Sequence, residues 1–224
     1  MSVVLVVAAH PDDEVLGVGA TAARRAAAGD TVHLALLGEG ITSRPGTDRT
    51  AVGALQDDAR AVAGMLGAKS VAFGALPDNR FDTVALLDIV QRVEGWVREL
   101  DPEVVYTHHP GDLNVDHRLT FQAVLTATRP VPGCRVREVY AFEVASSTEW
   151  AFGRLAAPFS PTVFEDAAST IDLKVACLER YRGEHRAFPH PRSGEALRVI
   201  ARRWGSVVGL AYAEAFELIR SVRS

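Results

Sequence analysis

The sequence predicts an α/β fold in which a mostly parallel central sheet carries helices on both faces and ends in an irregular C-terminal extension. Three observations carry this. Between residues 3 and 128, strand-length apolar runs alternate with helix-length periodic stretches, as in consecutive βα units. The first run, residues 3–9, is rich in valine and has no polar face, which suits a parallel strand buried on both sides. After Pro130 the rhythm weakens into shorter pieces.

Residues 3–9 form the first predicted strand. A helix over 12–28 follows, opened by Pro11 and acidic residues and closed by Gly29. Residues 31–37 are the second strand, and the polar stretch 38–50, with Gly38, Gly40, Pro45 and Gly46, is a loop. A helix over 51–66 stops at Gly67, and 70–73 gives a short third strand. A loop over 76–82 leads to an amphipathic helix over 83–100, ended by Asp101-Pro102. The fourth strand is 103–107, followed by a loop over 108–115 and a helix over 116–128. Beyond Pro130, residues 136–144 read as a fifth strand, 146–160 as irregular, 162–164 as a short edge strand and 171–182 as a helix ended by Gly183. The segment 184–193, dense in His, Arg and Pro, is expected to be irregular. Residues 195–204 and 212–220 are the last periodic stretches. No repeat or linker divides the chain, so one domain over 1–224 is the economical expectation.

The formal charge of −4 offers no electrostatic case for nucleic acid or anionic membranes. The N-terminal apolar run lacks a basic n-region and stops at His10. It is too short to span a bilayer, and no other stretch approaches about 18 apolar residues. A cytoplasmic protein without a membrane anchor is expected. Cys134 and Cys177 lack metal-ligand spacing and read as reduced thiols. The apolar tail from Trp204 suits either core or a subunit contact, which leaves a homo-oligomer open.

The informative segment is His10-Pro11-Asp12-Asp13-Glu14, where the first strand gives way to the first helix. Ligands of open parallel sheets bind beyond the carboxyl ends of the strands. A His at the strand end and an Asp in the first helical turn converge there in a way that suits a metal ion. An aspartate alone would read as a helix cap, and a histidine alone as a core residue. Grouped around Pro11, they ask for another explanation. A second segment, Thr107-His108-His109-Pro110-Gly111-Asp112-Leu113-Asn114-Val115-Asp116-His117, also follows a strand and opens a helix. One of its three histidines would complete a two-histidine, one-carboxylate set with His10 and Asp13. Three protein ligands and an open position mark a catalytic metal site. The same set serves non-haem iron oxygenases, usually on β-rich barrels; the alternation of strands and helices here favours hydrolysis.

At these two segments the sequence resembles the zinc-dependent deacetylases of the PIG-L or LmbE-like family, which includes de-N-acetylases of N-acetylglucosaminyl-phosphatidylinositol and of mycothiol and bacillithiol precursors. The His-Pro-Asp-Asp-Glu signature is matched by His10 to Glu14 without a gap, and the second signature, ending in Asp-His at a helix start, by Asp116-His117. The resemblance implies a Rossmann-like three-layer sandwich and zinc, with iron(II) as the alternative, held by His10, Asp13 and His117. It implies Asp12 as the general base, and a small amino-sugar substrate of the N-acetylglucosamine type that loses its acetyl group. A carboxylate beside the metal takes a proton as water attacks the acetamide carbonyl, and returns one to the departing amine.

Asn114 departs from the pattern, because many members carry a histidine three residues before the final ligand. An asparagine amide donates a hydrogen bond to an oxyanion but supplies no proton. Either Asp12 serves as both base and acid, or His109 or His185 substitutes. Asp116 is expected to orient a metal-bound imidazole or to cap its helix, and Glu14 to be an ordinary first-turn acid. Asp78 and Arg49, in loops after the third and second strands, are the candidate substrate contacts. Segment 184–192 is a candidate lid or phosphate site, though arginine-rich loops are usually solvated surface.

Three other readings stand beside this one. The first is an amidase acting on a larger acyl or thiol conjugate. The second is a nucleotide-binding Rossmann protein without hydrolytic chemistry. Against it, Gly17 and Gly19 lie inside the first helix, and no G-x-G-x-x-G follows the strand. The third is an inactive scaffold, which the intact ligand set opposes and Asn114 keeps open.

Overall fold

The computed structural model describes residues 1–47 and 49–223. Asp48, inside the expected 38–50 loop, and Ser224 lie outside the described residues. Five parallel strands, β1 (Val3–Ala8), β2 (Thr31–Gly38), β3 (Ser70–Leu76), β4 (Val104–His108) and β5 (Glu138–Phe142), form most of one sheet. β7 (Ala213–Ser221) pairs antiparallel with β5, and β6 (Val163–Asp166) antiparallel with β7, giving the order β3-β2-β1-β4-β5-β7-β6.

Alternation along β1 builds both layers. Val4, Val6 and Ala8 face α1 (Asp13–Ala27), α2 (Arg49–Leu66) and α5 (Ile171–Arg180). Leu5, Val7 and Ala9 face α3 (Leu86–Leu100) and α4 (Val115–Ala127). The two faces of an uninterrupted apolar strand thus both close, as parallel sheets require. α6 (Gly194–Val208) lays Trp204 against Ala213 and Ala215 of β7.

Most expected elements form, with shifted ends. α2 starts at Arg49 and α3 at Leu86, because Phe81–Thr83 turns as a 3-10 segment first. Residues 212–220, periodic but unassigned in the sequence, become the strand β7, and the expected edge strand extends to Asp166. Trp204 is nearly buried, so the tail contributes to the core. Cys134 and Cys177 are free thiols.

The sheet order reverses between β1 and β4, which are neighbours in the sheet although β2 and β3 lie between them in the chain. This is the switch point where open α/β sheets bind ligands. Both informative segments emerge there, at the carboxyl ends of neighbouring strands.

Candidate metal centre

His10 lies two residues past β1, and Asp13 opens α1. Between them Asp12 takes φ 115°, a left-handed conformation costing a non-glycine residue about 1–3 kcal/mol. Glu14 Oε2 accepts the Asp12 amide at 3.0 Å, and the amides of Val15 and Leu16 donate to the Asp12 carbonyl. Gly40 leaves space beside this turn, since a Cβ there would lie 2.6 Å from Pro11 Cδ.

His10, Asp13 and His117 are all buried and present ligand atoms within 4.8 Å of one another. Asp13 Oδ2 lies 3.3 Å from His10 Nδ1 and 3.2 Å from His117 Nε2, and it accepts the His10 amide at 2.9 Å. Each imidazole meets a second carboxylate through its other nitrogen. His10 Nε2 donates to Asp116 Oδ2 at 2.9 Å, while His117 Nδ1 is 3.1 Å from Asp112 Oδ1. With a cation bound, these carboxylates would keep the protons on the outer nitrogens and free the inner ones, facing Asp13, as lone-pair donors. Asp116 Oδ1 is occupied by the Phe81 amide. Asp112 accepts from the Asn114 amide, the Ser147 hydroxyl and the Thr148 hydroxyl.

The electrostatics ask for a cation. Burial opposes charge on His10, yet its bonds to Asp116 and Asp13 and the fields of Asp13 and Asp78 raise its pKa to about 10. His117 rises to about 9, because Asp13 and Asp112 outweigh the same burial cost. Burial alone would raise Asp13, but the His117 charge and hydrogen bonds from both histidines hold it well below the usual carboxylate range. Asp13 Oδ1 is buried without a hydrogen-bond partner among the described residues. A divalent cation would satisfy that oxygen and replace the two imidazole protons, so the donor set fits one.

Asp12 is buried, and its carboxyl is raised well above its ordinary value. Burial is the main cause and Arg192 the main opposing charge, with Asp13, Glu184 and Glu14 adding to the rise. Asp78 is also buried, with Oδ1 3.4 Å from His10 Nε2. It accepts from the amide and hydroxyl of Ser43. His10, Asp78 and Asp116 make a second close group of possible ligands sharing His10.

Other expected site residues have different surroundings. His109 points away: Nδ1 pairs with Glu217 Oε2 at 2.9 Å and Nε2 with the Ala157 carbonyl at 3.1 Å. Successive residues at a strand end project to opposite sides, so His108 and His109 cannot both face the crevice. Arg49, on the first turn of α2, pairs with Glu39 and is 90% exposed. Asn114 caps α4 through Oδ1 to the Asp116 amide, and its side-chain NH2 donates to Asn79 Oδ1. Cap geometry therefore assigns Asp116 to orienting His10. The His185 ring makes no hydrogen bond among the described residues. Its neighbour Glu184 is buried and bonded to Arg192 and Arg44.

Glu14 is more than a first-turn acid. It is buried, accepts from Tyr181 Oη at 2.6 Å, and is pushed up to about 7 by burial against that bond. His108, fully buried, stacks on His117 at 4.0 Å and accepts the Ala9 amide at Nε2, which places its proton on Nδ1. Sequence patterns pointed to neither Asp112 as the partner of His117 nor Arg192 as the partner of Asp12. The only local signal for Asp112 is its place five residues before a candidate ligand.

Residues 5–128 match the profile of the PIG-L family, GlcNAc-PI de-N-acetylase, and the chain belongs to that family. The Escherichia coli K12 protein YaiS, described as an uncharacterized deacetylase, is 27% identical over 185 residues, covering 80% of this chain and 90% of that one. Among solved structures, the N,N'-diacetylchitobiose deacetylase of Pyrococcus horikoshii superposes with a TM-score of 0.79 at 18% identity, covering 98% of this chain and 84% of that one. GalB of Pseudomonas putida KT2440, a 4-carboxy-2-hydroxymuconate hydratase, superposes with a TM-score of 0.78 at 25% identity, covering 100% and 98%.

Proposed function

From that family membership we propose that the chain is a zinc-dependent N-deacetylase that removes acetyl from a small N-acetylamino sugar conjugate. The observation that carries the metal is the buried His10–Asp13–His117 group, with its two outer carboxylates and the unsatisfied Oδ1 of Asp13. The family and the deacetylase relatives carry the reaction class. His10, Asp13 and His117 would hold the ion, zinc or alternatively iron(II). When bound it supplies a Lewis acid that polarises the acetamide carbonyl and makes water a better nucleophile.

The chain's own residues do the rest. Asp116 and Asp112 keep the His10 and His117 rings oriented. Asp12 takes the proton of the attacking water and returns one to the amine as it leaves, its burial raising the carboxyl above its ordinary value and so strengthening it as a base. His108, whose pKa burial and the neighbouring His117 hold well below its ordinary value, stays neutral and packs the His117 ring. Asp78, inside the cleft and already steered by Ser43, is the substrate contact that geometry favours over Arg49. The whole chain, 1–224, acts as one cytoplasmic deacetylase domain in this reading. Among the described residues no helix is long and apolar enough to cross a membrane.

GalB supports a second reading, a hydratase on the same fold. Acetate release from a panel of N-acetylglucosamine conjugates by zinc-loaded protein separates the two. Turnover of at least one conjugate, with about one metal per chain, is expected. No acetate from any member, with water addition to an unsaturated acid, would replace the deacetylase by the hydratase.

A further inference from the structure

Asp12 is held from across the chain. Arg192 Nη1 donates to Asp12 Oδ2 at 2.6 Å and to Glu184 Oε2 at 3.2 Å, and its Nε donates to Ser146 Oγ at 2.8 Å. Glu184 turns its other oxygen to Arg44 Nη2 at 2.5 Å. A chain of charges, Arg44–Glu184–Arg192–Asp12, therefore joins the loop after β2 and the segment between α5 and α6 to the turn that carries the base.

Stability does not explain this arrangement. A buried arginine–carboxylate pair is often no better than apolar packing, because desolvation offsets the attraction. What a guanidinium adds is geometry: a planar group whose several N–H donors are held by fixed acceptors sets the position of the carboxylate it touches. Arg192 is fixed in this way by Ser146 and Glu184. Asp12 needs such a hold, since its side chain grows from a strained backbone and meets no other hydrogen-bond donor among the described residues. Only Oδ2 is bonded; Oδ1 makes no hydrogen bond among the described residues.

We propose that Arg192 is the positioning residue of the general base, clamping Oδ2 of Asp12 so that Oδ1 is the oxygen that takes the proton, with Glu184 and Arg44 aligning the guanidinium. The proposal rests on the reading of Asp12 as the base of a deacetylase. It makes the segment 184–193 a working part of the site and couples the loop bearing Arg44 to the chemistry.

The test uses the full zinc-loaded chain. Arg192→Ala is expected to lower kcat about 100-fold, the cost of a misplaced catalytic group, with KM within about three-fold and zinc still bound. Guanidinium chloride in the assay should restore part of that kcat in Arg192→Ala and none in Asp12→Ala. Arg192→Lys, which keeps charge but loses the fork, should fall between Arg192→Ala and the unaltered protein. Losses should shrink along the chain, from Arg192→Ala to Glu184→Gln to Arg44→Ala. Unchanged kcat in Arg192→Ala, or a loss without guanidinium rescue that tracks loss of zinc, would overturn the proposal. Crystal structures of the zinc-loaded protein and of Arg192→Ala decide it without any substrate. The Asp12 carboxylate should swing away in the variant, and an unmoved carboxylate overturns the claim. If the unaltered protein releases no acetate from any conjugate, the deacetylase reading fails while the crystallographic result still stands for or against Arg192.

Discussion

The carboxyl ends of β1 and β4 and the segment between α5 and α6 meet in the same cleft, but they are built differently. At the strand ends the working side chains come from two short runs, His10 with Asp13, and Asp112 and Asn114 with Asp116 and His117, which meet through His10–Asp116 and His117–Asp13. The later segment contributes single residues, Glu184 and Arg192, which reach Arg44 and Asp12 from 140 and 180 positions away. A strand-to-helix turn forces a short run of residues onto one point in space, so its chemistry leaves a compact motif. A loop laid over the cleft needs only one side chain of the right length, and leaves no pattern. The first region is suited to binding an ion, the second to adjusting a group beside it.

Variants should separate these roles. The largest effect is expected from His10→Ala and His117→Ala, each of which should empty the metal site and abolish acetate release, read by metal analysis of purified protein. Metal retained in both would remove the strand-end region from its assigned role. Asp12→Asn comes next: zinc should remain at about one per chain while kcat falls about 100-fold or more. Asp112→Ala strips His117 of its outer carboxylate, and chelator competition should show metal affinity reduced about 10- to 100-fold.

Acid should act on the strand-end region first. Without metal, His10 and His117 hold their protons up to about 10 and about 9, so metal binding near neutrality must release protons. Affinity should therefore rise with pH, about ten-fold per unit for each proton released, and calorimetry in buffers of different ionisation enthalpy measures that number. Affinity independent of pH between 6 and 8 would mean that the rings are already neutral. The smallest effect is expected at Asn114. Asn114→Ala loses the α4 cap, worth about 1 kcal/mol in thermal unfolding, while zinc content stays unchanged. A large fall in kcat at intact stability would instead make its amide part of the chemistry.

Much of this was legible before folding. The valine run of β1, the alternation through α4 and the His-Pro-Asp-Asp-Glu turn are local patterns, and each follows from burial or backbone geometry over a few residues. β7 was missed as a strand because it closes the sheet antiparallel, after a long stretch with no βα rhythm to announce it. Asn114 looked like a chemical gap, whereas in the fold it accepts the Asp116 amide and donates to Asn79.

By itself the sequence determined the class of fold, the sheet edge where the chemistry sits and the His10–Asp13 pair, since these depend on periodicity and on one tight turn. The resemblance named His117 among the three later histidines, and only the tertiary structure shows how each of them is placed. His108 is spent on the Ala9 amide and on packing, and His109 is turned to Glu217, while His117 projects from α4 toward Asp13. It also decided what surrounds Asp12, because the arginine that touches it arrives from 180 residues away and answers a buried charge that no local pattern records.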